Sequence, residues 1–311
     1  MMNKEIDQKL GKYYIDMKVN LRKPKLETYK FDDDNILLYK IPYTENYDHY
    51  PVTIAQYGLG NYEKYLDTKD KKYYRRFLKQ VEWLVDNINI ENDLGVWEHY
   101  YTLPFYEFNR IPWVHGMGQS IAISVLLRAF QETKDEKYLN FAKKAFNVFD
   151  KKIKNNGVLF RDEEENIWLE EYAILPPPHI LNGFIFIVFG INEYYKVTKS
   201  KKSLTIFNKC LETIEKNIAL YDTGYWSKYN LLQDHPADDF YHDLHIKQLN
   251  ALYRITKKDI FKFYAKKWKD YSKKPFNRYK KTFVRVLTHI RLNGIIGCIK
   301  KYKTMRKWHN K

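Results

Sequence analysis

The stretch YDTGYWSKYNLLQDHPADDFYHDLH (residues 221–245) sets four tyrosines and three histidines around a turn-rich loop, with no cysteine among them. Phenols and imidazoles carry protons, so the chemistry suggested is acid–base work. Tyr229 and Tyr241 flank the loop. A phenol, with an ordinary pKa of about 10, works near neutral pH only when a cation or a second phenol tunes it; in a chain of 28 tyrosines most simply pack. His242 and His245 stand three apart at a helix start, but no third ligand follows at a recognisable spacing, so no metal is expected. A second constellation is WLEEYAILPPPHILNGF (168–184), where Glu170, Glu171 and Tyr172 precede a proline run that ends any helix. The flanking Trp168 and Pro176 imply the partial burial that suits a general base at Glu171, whereas Glu163–Glu165 reads as a solvated turn. His115 and Gln119 open an apolar helix and point toward the same end of it. There is no phosphate-cradling Gly loop, no G-x-S-x-G elbow and no dinucleotide fingerprint. What is left is Glu and Tyr chemistry in an aromatic-lined cleft, a profile suited to sugars, with no cofactor called for.

The elements that must hold these residues repeat. YLDTKDKKYYRRFLKQVEWLV, FQETKDEKYLNFAKKAFNVFD, YKVTKSKKSLTIFNKCLETIE and YRITKKDIFKFYAKKWKDY align on Thr-Lys pairs at Thr68, Thr133, Thr198 and Thr256, a period of 65, 65 and 58 residues. Ahead of Thr133, Ile121, Ile123, Val125, Leu126 and Leu127 predict a helix buried almost all round. Behind it, Tyr138, Phe141, Ala142, Ala145, Phe146 and Phe149 recur at three and four, an amphipathic helix. The short link makes the two antiparallel neighbours. A Gly-aromatic return follows each pair (Gly95–Trp97, Gly157–Phe160, Gly224–Trp226). The pattern predicts an all-α chain, an α/α toroid (an incomplete barrel) of about four helical hairpins, in preference to a solenoid. WEHYY (97–101), WLEEY (168–172) and the tyrosine-rich loop then converge on its mouth. Residues 1–60 are expected to form a short extended or β-hairpin segment on that mouth, residues 61–272 the toroid, and residues 273–311 a basic amphipathic tail.

Charge sharpens this division. The formal net charge is +16, yet residues 251–311 hold 20 Lys/Arg against 2 Asp/Glu, so the first 250 are close to neutral. A neutral body argues against nucleic acid as a partner. Cys210 and Cys298 imply no disulfide framework, and the charged start and the short apolar run at 180–191 imply neither a signal core nor a membrane span. A cytoplasmic protein is expected.

PVTIAQYGLGNY (51–62), GMGQSIAISVLLRAF (116–130), EEY with LNGF ten residues on, LYDTGYWSKYNL (220–231) and YHDLHIKQL (241–249) together resemble the D-glucuronyl C5-epimerase family, in order over roughly residues 47–272. The resemblance implies conversion of D-glucuronate to L-iduronate within a heparosan-like polysaccharide on an α/α toroid. Glu171 and Tyr241 are implied as the proton-transfer pair, Tyr172 and Tyr229 as further active-site tyrosines and Asn182 as a sugar contact. Tyr50, Gln56, Gln119 and His115 join them as candidate substrate contacts. Larger members carry an arginine three residues after the tyrosine matched by Tyr229, where this chain has Leu232; Lys228, His179 and His242 are the candidates to replace it. Those members also carry a sizeable β-domain where only Asn61–Thr68 stands here. A homodimer and an acidic uronate polymer are the implied partners. The tail admits two further roles, attachment to the inner membrane face beside a polysaccharide-assembly complex or a grip on the acidic glycan. A uronate lyase, sharing the C5 deprotonation, and a non-catalytic glycan-binding toroid are the alternative functions.

Overall fold

The Thr-Lys pairs are helix stops. The structure, a computed structural model, describes residues 9–42, 44–101, 111–233, 235–288 and 290. In it Thr68, Thr133, Thr198 and Thr256 each close a long helix: α1 (Pro51–Thr68), α3 (Gly116–Thr133), α5 (Leu181–Thr198) and α7 (Asp239–Thr256). Each threonine hydroxyl donates to the carbonyl four residues back, at 2.7–2.8 Å, and accepts from the amide two residues ahead, at 3.2–3.3 Å. The lysine between adopts left-handed backbone, with φ from 54° to 64°, the conformation that ends helices. Asp70 and Asp135 then cap the next helix through their side chains. The chain thus reverses in two residues into α2 (Lys71–Asp86), α4 (Glu136–Phe146), α6 (Lys201–Asn217) and α8 (Asp259–Ser272). Four hairpins make the chain all-α, as the repeat predicts.

Two compact units divide it, Met1–Lys216 and Asn217–Lys311. In the first, α1, α3 and α5 are the inner helices: α3 packs on both of the others, and α5 is buried from Leu181 through Tyr194. Close approach is built in at Gly190, where a Cβ would lie 2.1 Å from Ser120 Oγ; that hydroxyl donates to Phe186 O at 2.9 Å. Toward the Thr-Lys end, Arg128 of α3 and Glu193 of α5 form a bidentate pair, both bonds 2.7 Å and both side chains buried. The N-terminal segment closes over this pair. The amides of Tyr13 and Met17 donate to Glu63, and Arg128 Nε donates to Gly11 O.

Short strands occupy the other end. Ahead of α1, β1 (Tyr29–Phe31), β2 (Leu37–Lys40) and β3 (Tyr47–His49) form an antiparallel sheet in that order. This is one strand more than a hairpin, and α1 begins at Pro51, inside the stretch expected to be extended. Proline does hold Tyr50 extended (φ −117°, ψ 100°), but it also suits the first position of a helix. The Gly-aromatic returns contain the two-stranded pairs β4 (Asn89–Glu91) with β5 (Leu94–Val96) and β8 (Leu159–Arg161) with β9 (Ile167–Leu169), and β6 (Glu98–His99) pairs with β7 (Trp113–Val114).

The second unit contains α7 packed on α8, followed by a helix over residues 275–288. The amphipathic tail expected from 273 is described only this far; its remainder, apart from residue 290, lies outside the described residues. Among the described residues no helix is long and apolar enough to cross a membrane.

Candidate active site

Strand alternation assembles the site in the first unit. His99 lies in the two-residue strand β6, flanked at alternate positions by Trp97 and by Tyr101, whose ring is 5.7 Å from that of His99. Trp97 is anchored, its indole N–H donating to Leu84 O at 2.8 Å. The β6–β7 register sets His99 opposite Trp113, and their rings stack at 4.3 Å. β7 runs into His115, the N-cap of α3, which bridges to Tyr172 while the Gly116 amide donates to Glu171 O at 2.8 Å. His99, Trp113, His115 and Tyr172 therefore form a row of rings. Tyr50, the N-cap of α1, closes it edge-on, 5.0 Å from His99 and 5.5 Å from His115.

Glu171 sits at the end of this row with 5% of its side chain exposed. One carboxylate oxygen lies 3.5 Å from His115 Nε2 and the other 3.5 Å from Asn182 Nδ2. The His115 tautomer follows from its cap: Gly118 N–H donates to Nδ1 at 2.9 Å, so in the neutral ring the proton sits on Nε2 and faces Glu171. α5 presses its first turn against this carboxylate. At Gly183 a Cβ would lie 2.1 Å from Glu171 Oε2, so only glycine leaves the side chain its place.

The adjacent carboxylate goes elsewhere. Glu170 accepts from the His179 amide at 2.9 Å and pairs with His179 Nδ1 at 2.6 Å, and the imidazole lies on Trp168. His179 is thus bound to Glu170. Gln119, expected to contact substrate, has its amide taken up by backbone: it accepts from Trp97 N and donates to Gly95 O. Gln56 accepts from Lys23 Nζ at 2.6 Å.

Two rings of the row, His99 and Trp113, are not among the candidates that the sequence offers. His99 is 2% exposed, and neither ring nitrogen has a hydrogen-bond partner among the described residues. Burial holds it well below the ordinary histidine range, with a further push from His115. The Tyr101 hydroxyl beside it is likewise buried without a partner. The signal available was the alternation in WEHYY, whose meaning depends on the partner strand.

The second unit holds the tyrosine pair. Tyr241 lies in the first turn of α7, its amide donating to the capping Asp238 at 2.9 Å, and its ring is 4.6 Å from that of Tyr229. Lys228, half-buried, bridges to Pro236 through its backbone. His242 belongs to the core. Its ring stacks on Trp226 at 3.8 Å, Nδ1 accepts from Ser227 N, and Nε2 donates to Trp268 O at 3.0 Å. Both nitrogens are therefore used, which leaves it no free donor for a substrate carboxylate. Ser227 Oγ also contacts Nδ1 of His245 at 3.0 Å, so the two histidines share a hydroxyl. Burial lowers His242 to about 4 and, with the neighbouring His242, His245 to about 3.

Residues 91–270 match the family model described as "D-glucuronyl C5-epimerase C-terminus". An uncharacterised protein of Methanocaldococcus jannaschii is 30% identical over 237 residues, 71% of this chain and 76% of that one. A D-glucuronyl C5-epimerase of Caenorhabditis elegans is 28% identical over 262 residues, 77% of this chain but 41% of the worm protein. Among solved structures, a family 76 glycoside hydrolase (mannosidase) from Bacteroides thetaiotaomicron VPI-5482 superposes with a TM-score of 0.50 at 16% identity, over 73% of this chain and 60% of that one. That likeness places the fold in the α/α-toroid class. With more than half its length matched by the family model, the chain belongs to the D-glucuronyl C5-epimerase C-terminus family.

Proposed function

We propose that the protein is a polysaccharide uronate C5-epimerase that converts D-glucuronate to L-iduronate in a heparosan-like chain. The observation that carries the reading is Glu171, a buried carboxylate facing an imidazole N–H and an amide and bordered by rings that can cover a sugar. Its family membership supports the same chemistry.

The C5 hydrogen of a uronate lies α to a carboxylate. Its removal puts a second negative charge on that group, so donors must meet the developing enediolate. Glu171 takes the proton, and the C5–H electron pair becomes the new C5–C6 double bond. Tyr50 and Tyr172, phenols of the same row, are the candidates to donate toward the substrate carboxylate. His99, neutral and with neither nitrogen partnered among the described residues, offers one donor and one acceptor in the same row. Inversion requires a second proton carrier, and Tyr241 is the candidate, with Tyr229 beside it to share the charge left on the phenol.

Incubation with heparosan followed by proton NMR tests the activity. Iduronate signals in an intact polymer support it. An unsaturated uronate absorbing in the near ultraviolet means that the 4-substituent leaves after the same deprotonation, which is a lyase.

A further inference from the structure

Surface helices ordinarily bury an apolar stripe and show water a polar face. The helix over residues 275–288 does the reverse. Its inward contacts are polar: Asn277 Nδ2 donates to Tyr271 O, Lys281 Nζ to Asp239 at 2.8 Å and Arg285 to Pro236 O at 2.8 Å. Phe276, Tyr279 and Phe283, by contrast, are 74%, 76% and 63% exposed, and Val286 and Leu287 are about half exposed. At about 100° per residue these five side chains fall within one arc of about 100°. Lys280 borders this arc, and Lys273, Lys274 and Arg278 are exposed nearby, Lys273 pairing with Asp270 and Arg278 donating Nε to Ser272 O; no Asp or Glu occurs from Tyr271 to Lys311.

We propose that this outer face docks on an anionic lipid bilayer, with the aromatic and aliphatic stripe entering the acyl boundary and the flanking cations meeting the headgroups. An apolar stripe bordered by cations is the composition of a helix that lies in the membrane interface. Charge complementarity selects the anionic surface. An acidic glycan would use the cations and stack on the rings, but it has no use for Val286 and Leu287. A second copy would bring the same cations face to face.

Co-sedimentation of the full chain with phosphatidylcholine vesicles, with and without phosphatidylglycerol, tests this. Binding is expected with phosphatidylglycerol, falling as salt is raised. Phe276→Ser/Phe283→Ser/Leu287→Ser should weaken it by about tenfold or more with circular dichroism unchanged, since these side chains are exposed. Arg278→Glu/Lys280→Glu, also at exposed positions, should weaken it too and keeps the test alive if the first variant misfolds. No binding to the anionic vesicles, or binding by both variants as tight as by wild type, overturns the proposal. So does a stripe variant that changes only self-association in sedimentation velocity or only retention on heparosan.

Discussion

His115 Nε2 stands 3.5 Å from Glu171 Oε1, and the amide of Gly118, donating to the other ring nitrogen at 2.9 Å, fixes which nitrogen carries the proton. One side chain is thereby both the cap of α3 and a donor at the candidate base. These roles can be separated. Asparagine can cap the helix but cannot reach Glu171 as the imidazole does. His115→Asn should unfold within about 1 kcal/mol of wild type while turnover falls by about tenfold or more. Turnover unchanged in a stable variant would reduce His115 to a cap.

His99 poses a similar choice. A buried polar group without a partner costs about 1–3 kcal/mol, so His99→Phe, which keeps a flat ring against Trp113, should be at least as stable as wild type. If the nitrogens serve the sugar, KM or turnover for the polymer worsens in that same variant. A variant that is more stable and fully active would make His99 a packing residue.

The buried pair at the opposite end of the first unit should matter to stability alone. Glu193→Gln leaves the Arg128 guanidinium inside without a counter-charge, and losing one partner of such a pair costs about 3–5 kcal/mol. Chemical denaturation would measure this. Replacing both residues with apolar ones should recover most of the loss, and a single variant within experimental error of wild type would contradict the ion-pair account.

Acid should weaken the second unit through His242 and His245. Folding lowers these imidazoles from 6.5 to about 4 and about 3, because burial disfavours the cation. Between pH 6.5 and those values the unfolded chain binds more protons than the folded one. Their contribution is therefore complete above pH 6.5 and is lost as the pH falls toward 4 and then 3, at up to about 1.4 kcal/mol per pH unit for each. Denaturation of wild type and of His245→Phe across that range would show it as a shallower pH dependence in the variant.

The hairpins were legible in the sequence because their punctuation is local. A threonine that bonds back four residues and a lysine in left-handed backbone act within one turn, and the same chemistry recurs four times. Glu171 was a candidate base from its Trp168 and Pro176 flanks before the resemblance implied a role for it, and the burial expected there fits its 5% exposure. Gln119 was a candidate because it opens an apolar helix beside His115, and His242 because Leu232 stands where larger family members carry an arginine. Each instead satisfies main-chain groups from separate segments, Gly95 and Trp97 for the first and Trp268 for the second, pairings that no local pattern reveals. His99 was missed for the complementary reason: the ring beside it comes from a strand fourteen residues on. The start of α1 was misplaced because one proline signals both an extended predecessor and a helix beginning.

The claim that Glu171 takes the C5 proton, with Tyr241 as the second carrier, is tested most directly by deuterium exchange. Heparosan would be incubated with the protein in D₂O and C5 followed by NMR. Wild type should place deuterium at C5 and build iduronate signals. Glu171→Gln should do neither, and Tyr241→Phe should lose inversion. Exchange by Glu171→Gln at the wild-type rate, or none by wild type with the polymer intact, would contradict the account.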